Sequence, residues 1–199
     1  MSKVLTREEA INALANGDAV AIGTDTVYGI CASVSNPQAV AKLFAIKKRP
    51  STVALPVMVG SLEQLHDLGI SLNRFEQQLT SKFWPGPLTL LLHAPLELAQ
   101  RVGSADATAG VRMPNDDELL ALLRETGPLC VTSANEHGEP PCTSAADVLA
   151  NLTSSQLVGV LDVGVRNSPV SSVVQLVDGT IRMLRHGALS EEKLREALS

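Results

Sequence analysis

The chain has 199 residues, 45% hydrophobic and 19% charged, with a formal net charge of -5. That length can bury one sizeable core without disulfides or a structural metal. The acidic balance excludes a broadly basic nucleic-acid surface, and an aromatic content of 3% is too low for a base-stacking platform. No run approaches the ~18 apolar residues of a membrane span, and Cys31, Cys130 and Cys142 lack zinc-ligand spacing. Dispersed thiols and no signal-peptide pattern predict a reducing, cytoplasmic setting.

In chain order, the N-terminal segment from Met1 reads as an amphipathic helix, with Thr6 and Glu9 forming a capping box and Asn16-Gly17 ending it. Residues 19–23 form an apolar run that predicts a buried strand, 24–29 a polar loop and 30–34 a second strand. Asn36-Pro37 starts a helix that carries Val40, Leu43, Phe44 and Ile46 and stops at Lys47-Lys48-Arg49 before Pro50. Strands are predicted over 53–59, 88–92, 110–113, 128–132, 157–163, 172–177 and 180–184. Helices are predicted over 61–65, 72–83, 116–125, 144–152 and 190–198, with Trp84-Pro85-Gly86-Pro87 as a rigid loop. Strands and helices interleave without strict alternation, and the 177–180 connection is too short for a parallel crossover. The prediction is an α/β (α+β) fold: one three-layer domain, a twisted mixed parallel and antiparallel sheet flanked by helices.

Four polar segments follow or interrupt apolar strands, where ligands bind in α/β proteins. Residues 23–29 concentrate two threonines, Asp25, Tyr28 and two glycines; a plain hydrogen-bonded turn carries equal weight. Lys47-Lys48-Arg49 offers a phosphate-binding fork, against the commoner service of cations to a helix end. Thr132-Ser133-Ala134-Asn135 can present hydroxyls, an amide and backbone N–H groups to a phosphate or ribose, or simply cap a turn. Ser171-Ser172 and Arg185-His186-Gly187 form the fourth. There is no Walker loop and no dinucleotide-binding glycine pattern. His66, His93, His137 and His186 are scattered, with no spacing to a nucleophile.

Taken in order, GTDTVYGI, FAIKKRP, FWPGPLTLLL, GVRMP, LCVTSANEHGEPP and SSVVQLVDGTIRMLRHG resemble the YrdC/Sua5 family, the threonylcarbamoyl-AMP synthases, over about residues 19–187. The chain looks like the family's short form, a single domain over 1–199. The resemblance implies synthesis of threonylcarbamoyl-AMP and pyrophosphate from ATP, L-threonine and bicarbonate with Mg²⁺. The product feeds N6-threonylcarbamoyladenosine formation in tRNAs reading codons that begin with A. It implies that Thr26, Arg112 and Ser171 serve threonine. Lys47 and Arg49 would hold the ATP phosphates and carry catalysis, and Ser133, Asn135 and Arg185 would lie at the nucleotide. No protein side chain is expected to ligate the metal. The family often has Lys where this chain has Val53, which predicts one phosphate-binding cation fewer. Handover to a tRNA-modifying transferase complex is implied, with tRNA contact weak or indirect and no membrane role. The rival readings are a double-stranded RNA or tRNA-binding module, a carbamoyl-transfer enzyme with another amine substrate, and an inactive relative with the same fold.

Overall fold

The computed structural model describes residues 2–48, 53–136 and 138–198. Its strands are β1 (Lys3–Leu5), β2 (Ala19–Gly23), β3 (Tyr28–Ser33), β4 (Val57–Met58), β5 (Leu88–His93), β6 (Thr108–Arg112), β7 (Leu129–Ser133), β8 (Leu157–Leu161), β9 (Ser172–Val177) and β10 (Thr180–Arg185). Its helices are α1 (Arg7–Ala15), α2 (Pro37–Lys47), α3 (Glu63–Asp67), α4 (Arg74–Phe83), α5 (Leu96–Arg101), α6 (Asp117–Thr126), α7 (Ala145–Asn151) and α8 (Glu191–Glu196). The ten strands form one mixed sheet in the order β1-β8-β2-β3-β7-β4-β6-β5-β9-β10. The pairs β1/β8, β2/β8, β4/β6 and β5/β9 are parallel; the rest are antiparallel, including the tight β9–β10 hairpin.

Local chemistry explains most boundaries. The Thr6 hydroxyl accepts from the Glu9 N–H at 3.2 Å and Glu9 accepts from the Thr6 N–H at 2.8 Å, so the capping box forms as expected. The helix nevertheless begins at Arg7, not at the N-terminus: Lys3–Leu5 pairs with β8 instead, burying Leu5. Asn36 caps α2 by accepting from the Ala39 N–H at 3.0 Å. The strand expected over 53–59 shrinks to Val57–Met58, because Pro56 has no N–H to extend the ladder. Helix α5 was absent from the sequence reading; six residues behind Pro95 are too few to show a helical period.

Side-chain alternation splits the core between two faces. Ala19, Tyr28, Ile30, Val57, Leu90, Val111 and Val174 pack on one face against α2, α4, α5, α7 and α8. Val20, Ile22, Cys31, Met58 and Val131 pack on the other against α1 and α6. The cover from α1 and α6 ends short of the far half of that second face. There Leu91, Gly110 and Val173 are only half-buried, while Leu90, Val111 and Val174 behind them are sealed. The sheet therefore exposes a concave floor between β7 and β9.

Candidate active site

That floor carries a cavity of about 450 Å³, within the range of small-molecule sites. The loop after β2, β6, the end of β7, the start of β9 and the end of β10 converge on it. They bring Thr26, Arg112, Ser133, Ser171 and Arg185 to one lining, although these residues span most of the chain. A second cavity of about 520 Å³ lies beside α6, but Asp116, Asp117, Glu118 and Asp162 against the single Arg7 make it a poor receiver of anions.

The 24–27 loop is a hydroxyl turn. Thr24 Oγ1 donates to the Val27 carbonyl at 2.7 Å, accepts from the Thr26 N–H at 3.1 Å and lies 3.0 Å from Thr26 Oγ1. One hydrogen cannot serve two acceptors, so the Thr26 hydroxyl donates to Thr24 and keeps its lone pairs for a ligand donor. Both threonines are buried. Asp25 reaches across to β6, where its Oδ2 accepts from Arg112 Nη2 at 2.5 Å and from the Asn115 N–H at 3.0 Å. Arg112 Nε donates to the Gly86 carbonyl at 3.0 Å, which leaves Nη1 without a protein partner among the described residues. Burial pulls the Arg112 guanidinium below its usual range, and the Asp25 carboxylate works against that shift. Asp25 Oδ1 is buried and has no partner among the described residues. Tyr28 departs from the expected polar kit. It starts β3, and its hydroxyl accepts from the Val163 N–H at 3.1 Å and shares its one hydrogen between Asp162 Oδ1 at 3.0 Å and the Gly164 carbonyl at 2.8 Å, so the phenol is spent on the 162–164 turn.

On the far side, Arg185 clamps Ser171. Its Nε and Nη2 donate to the Ser171 carbonyl at 3.0 and 2.8 Å, and Nη2 donates to Ser171 Oγ at 2.9 Å. Ser171 Oγ also pairs with Thr89 Oγ1 at 2.9 Å. One hydroxyl hydrogen joins the two oxygens, so the pair offers the other to a ligand acceptor. Thr89 escaped the sequence reading because it sits in the apolar strand LTLLLH; its signal was a lone hydroxyl at a cavity-facing position of the alternation. Ser172 points the other way and caps Leu189, donating to its carbonyl at 2.7 Å.

The third segment forms a cationic knot. Lys47 is buried, and its Nζ donates to the Ser133 carbonyl at 2.7 Å and to Asn135 Oδ1 at 2.6 Å. Ser133 Oγ donates to the same Asn135 oxygen at 2.7 Å, and the Asn135 amide donates to the Glu139 carbonyl. Ser133 faces the cavity, whereas Lys47 and Asn135 stand behind it. Lys48 instead turns outward in a left-handed C-cap (φ 50°) and pairs with Glu136. Arg49, expected to hold the ATP phosphates, lies outside the described residues. Val53 is exposed and is not among the residues lining the cavity, whereas its neighbours Ala54 and Leu55 are.

Residues 12–187 match the profile of the Sua5/YciO/YrdC family, described as "Telomere recombination". The chain belongs to the Sua5/YciO/YrdC family. A Mycobacterium tuberculosis relative is 36% identical over 95% of this chain and 87% of its own length. The threonylcarbamoyl-AMP synthase of Bacillus subtilis is 35% identical over 96% of this chain and 56% of that protein. A structure of Pyrococcus abyssi Sua5 complexed with L-threonine matches with a TM-score of 0.88 at 30% identity, covering 98% of this chain and 60% of that one. The chain thus spans a little over half the length of these last two family members. Escherichia coli YciO shares the fold, with a TM-score of 0.81 at 20% identity over 97% of this chain and 96% of its own. The expected fold class and family hold, and no described helix is long and apolar enough to cross a membrane.

Proposed function

We propose that this Sua5/YciO/YrdC protein is a threonylcarbamoyl-AMP synthase that uses ATP, L-threonine and bicarbonate. The observation that carries the reading is the complementarity of one cavity to an amino acid: its lining holds both an acceptor hydroxyl at Thr26 and, at Arg112, a guanidinium N–H that no described residue shares. Thr26 suits the amine and Arg112 the carboxylate. The Ser171–Thr89 pair supplies one donor, held in place by Arg185.

The reaction joins the threonine amine and bicarbonate into a carbamate with loss of water. A carbamate oxygen then attacks the α-phosphorus of ATP, and pyrophosphate leaves with the bonding electrons. The nucleophile is already anionic, so the step needs alignment and charge neutralisation more than a strong base. Lys47 places a positive charge directly behind Ser133 and fixes the Ser133–Asn135 loop on the nucleotide side. Arg49, next but one along, is assigned to the phosphates on the family pattern alone. Among the described residues no group of three or more His, Cys, Asp or Glu could cage a metal, so Mg²⁺ is assigned to the ATP phosphates and water. The product is a mixed anhydride that a tRNA-modifying transferase would consume; a net charge of -5 disfavours broad tRNA binding by this chain itself.

Pyrophosphate release from ATP in bicarbonate buffer, measured with threonine, with serine and with neither, tests the reading. Release that depends on threonine supports it. Release indifferent to the amino acid, or salt-sensitive tRNA binding without turnover, sinks it.

A further inference from the structure

Of the 14 glycines, seven have positive φ, a conformation that side chains rarely adopt. At six of the others, Gly23, Gly29, Gly60, Gly86, Gly159 and Gly187, an added Cβ would meet a neighbouring atom at 2.2 to 2.9 Å. Backbone conformation or close packing thus accounts for a glycine at those thirteen. Gly110 alone meets neither condition. It lies inside β6 with ordinary backbone, and an added Cβ would find Thr89 Cγ2 at 3.5 Å and Pro56 Cβ at 4.0 Å, both normal contacts. A glycine inside a strand weakens it and often marks close approach by a ligand. Gly110 lies on the floor of the cavity.

We infer that Gly110 is a specificity-determining residue that gives clearance to the amino-acid substrate; this rests on the reading of the cavity as a threonine site. The register supports the amino acid over the nucleotide. Gly110 and Arg112 are two residues apart on one strand, hence on one face and about 6–7 Å apart. With the carboxylate on Arg112 and the amine near Thr26, the substrate's carbon skeleton lies over the β6 floor. Among the described residues, the atoms nearest an added Cβ at Gly110, the Thr89 methyl and the Pro56 ring, are carbon. The Lys47–Ser133–Asn135 knot lies across the cavity at β7. A side chain at position 110 would fill the floor without disturbing the fold, so the absence of one matches the ligand's shape.

Calorimetric titration of full-length wild type, Gly110→Ala and Gly110→Val with L-threonine, and separately with a non-hydrolysable ATP analogue, tests this. The expected result is threonine affinity weakened roughly tenfold or more by valine and less by alanine, with nucleotide affinity and Tm retained. Unchanged threonine affinity, weakened nucleotide affinity, or a large fall in Tm would each overturn it. Wild type that binds nucleotide but no threonine would remove the functional reading as well, whereas wild type that binds threonine as tightly as the variants removes only the role of Gly110.

Discussion

The Asp25–Arg112 pair is the place where fold and site are most tightly joined, and a double-mutant cycle separates the two contributions. The side chains are only 9% and 4% exposed and meet at 2.5 Å. Removing one member of a buried pair leaves the other charged and unpaired, at a cost of about 3–5 kcal/mol. Asp25→Ala strands the guanidinium between the Gly86 carbonyl and the cavity; Arg112→Met strands a carboxylate of which one oxygen already has no partner among the described residues. Each single variant should lose that much in urea unfolding, or roughly 6–20 °C in Tm at about 2–4 °C per kcal/mol for a chain of this size. The double variant removes both charges and leaves only the Gly86 carbonyl and Asn115 N–H short of a partner. Its loss should fall below the sum of the singles by about 2–3 kcal/mol. Threonine binding should stay lost in the double variant even as stability returns, because the missing guanidinium is the proposed carboxylate receiver. Additive losses would refute the pairing argument, and threonine binding restored with stability would refute the role of Arg112.

Lys47→Met removes a donor from the Ser133 carbonyl and from Asn135 Oδ1, and should destabilise by about 1–3 kcal/mol. It should also raise the KM for ATP roughly tenfold, about 1.4 kcal/mol of charge interaction, while the KM for threonine stays near wild type; steady-state kinetics reads both. Burial raises the Cys31 thiol well above its usual range and the Cys130 thiol to about 12. A higher pKa means less thiolate at any working pH, so both should resist alkylation at pH 8 in the native state and react once urea unfolds the chain. Mass spectrometry of labelled native protein checks this, and fast modification of either would contradict the burial.

The helices and strands that the sequence disclosed are those whose signals are local. The Thr6–Glu9 capping box, the Asn36-Pro37 start and the apolar runs of β2, β5 and β7 need no distant partner to be read. β1 and α5 went unread because one depends on pairing with β8, more than 150 residues away, and the other is too short for periodicity. The site shows the same division. Thr26, Ser133, Ser171 and Arg185 stand out as polar groups beside apolar strands, and the ordered motifs gave them roles by resemblance. The Asp25–Arg112 pair, 87 residues apart, and the Thr89–Ser171 pair, 82 apart, exist only through strand order. Lys47 reads in sequence either as a cation serving a helix end or as a phosphate ligand; its burial against the Ser133 carbonyl at the end of β7 is a long-range contact that neither reading contains. Gly110 reads as an ordinary glycine until the space around it is known.

With the proposed function, this chain builds an adenylate of N-carboxythreonine. Incubating the purified full-length protein with ATP, Mg²⁺, L-threonine and isotopically labelled bicarbonate, and separating the nucleotides rapidly, tests it most directly. A labelled AMP adduct should form only when threonine is present, in step with pyrophosphate. Pyrophosphate without a labelled adduct, or an adduct that forms without threonine, would contradict it.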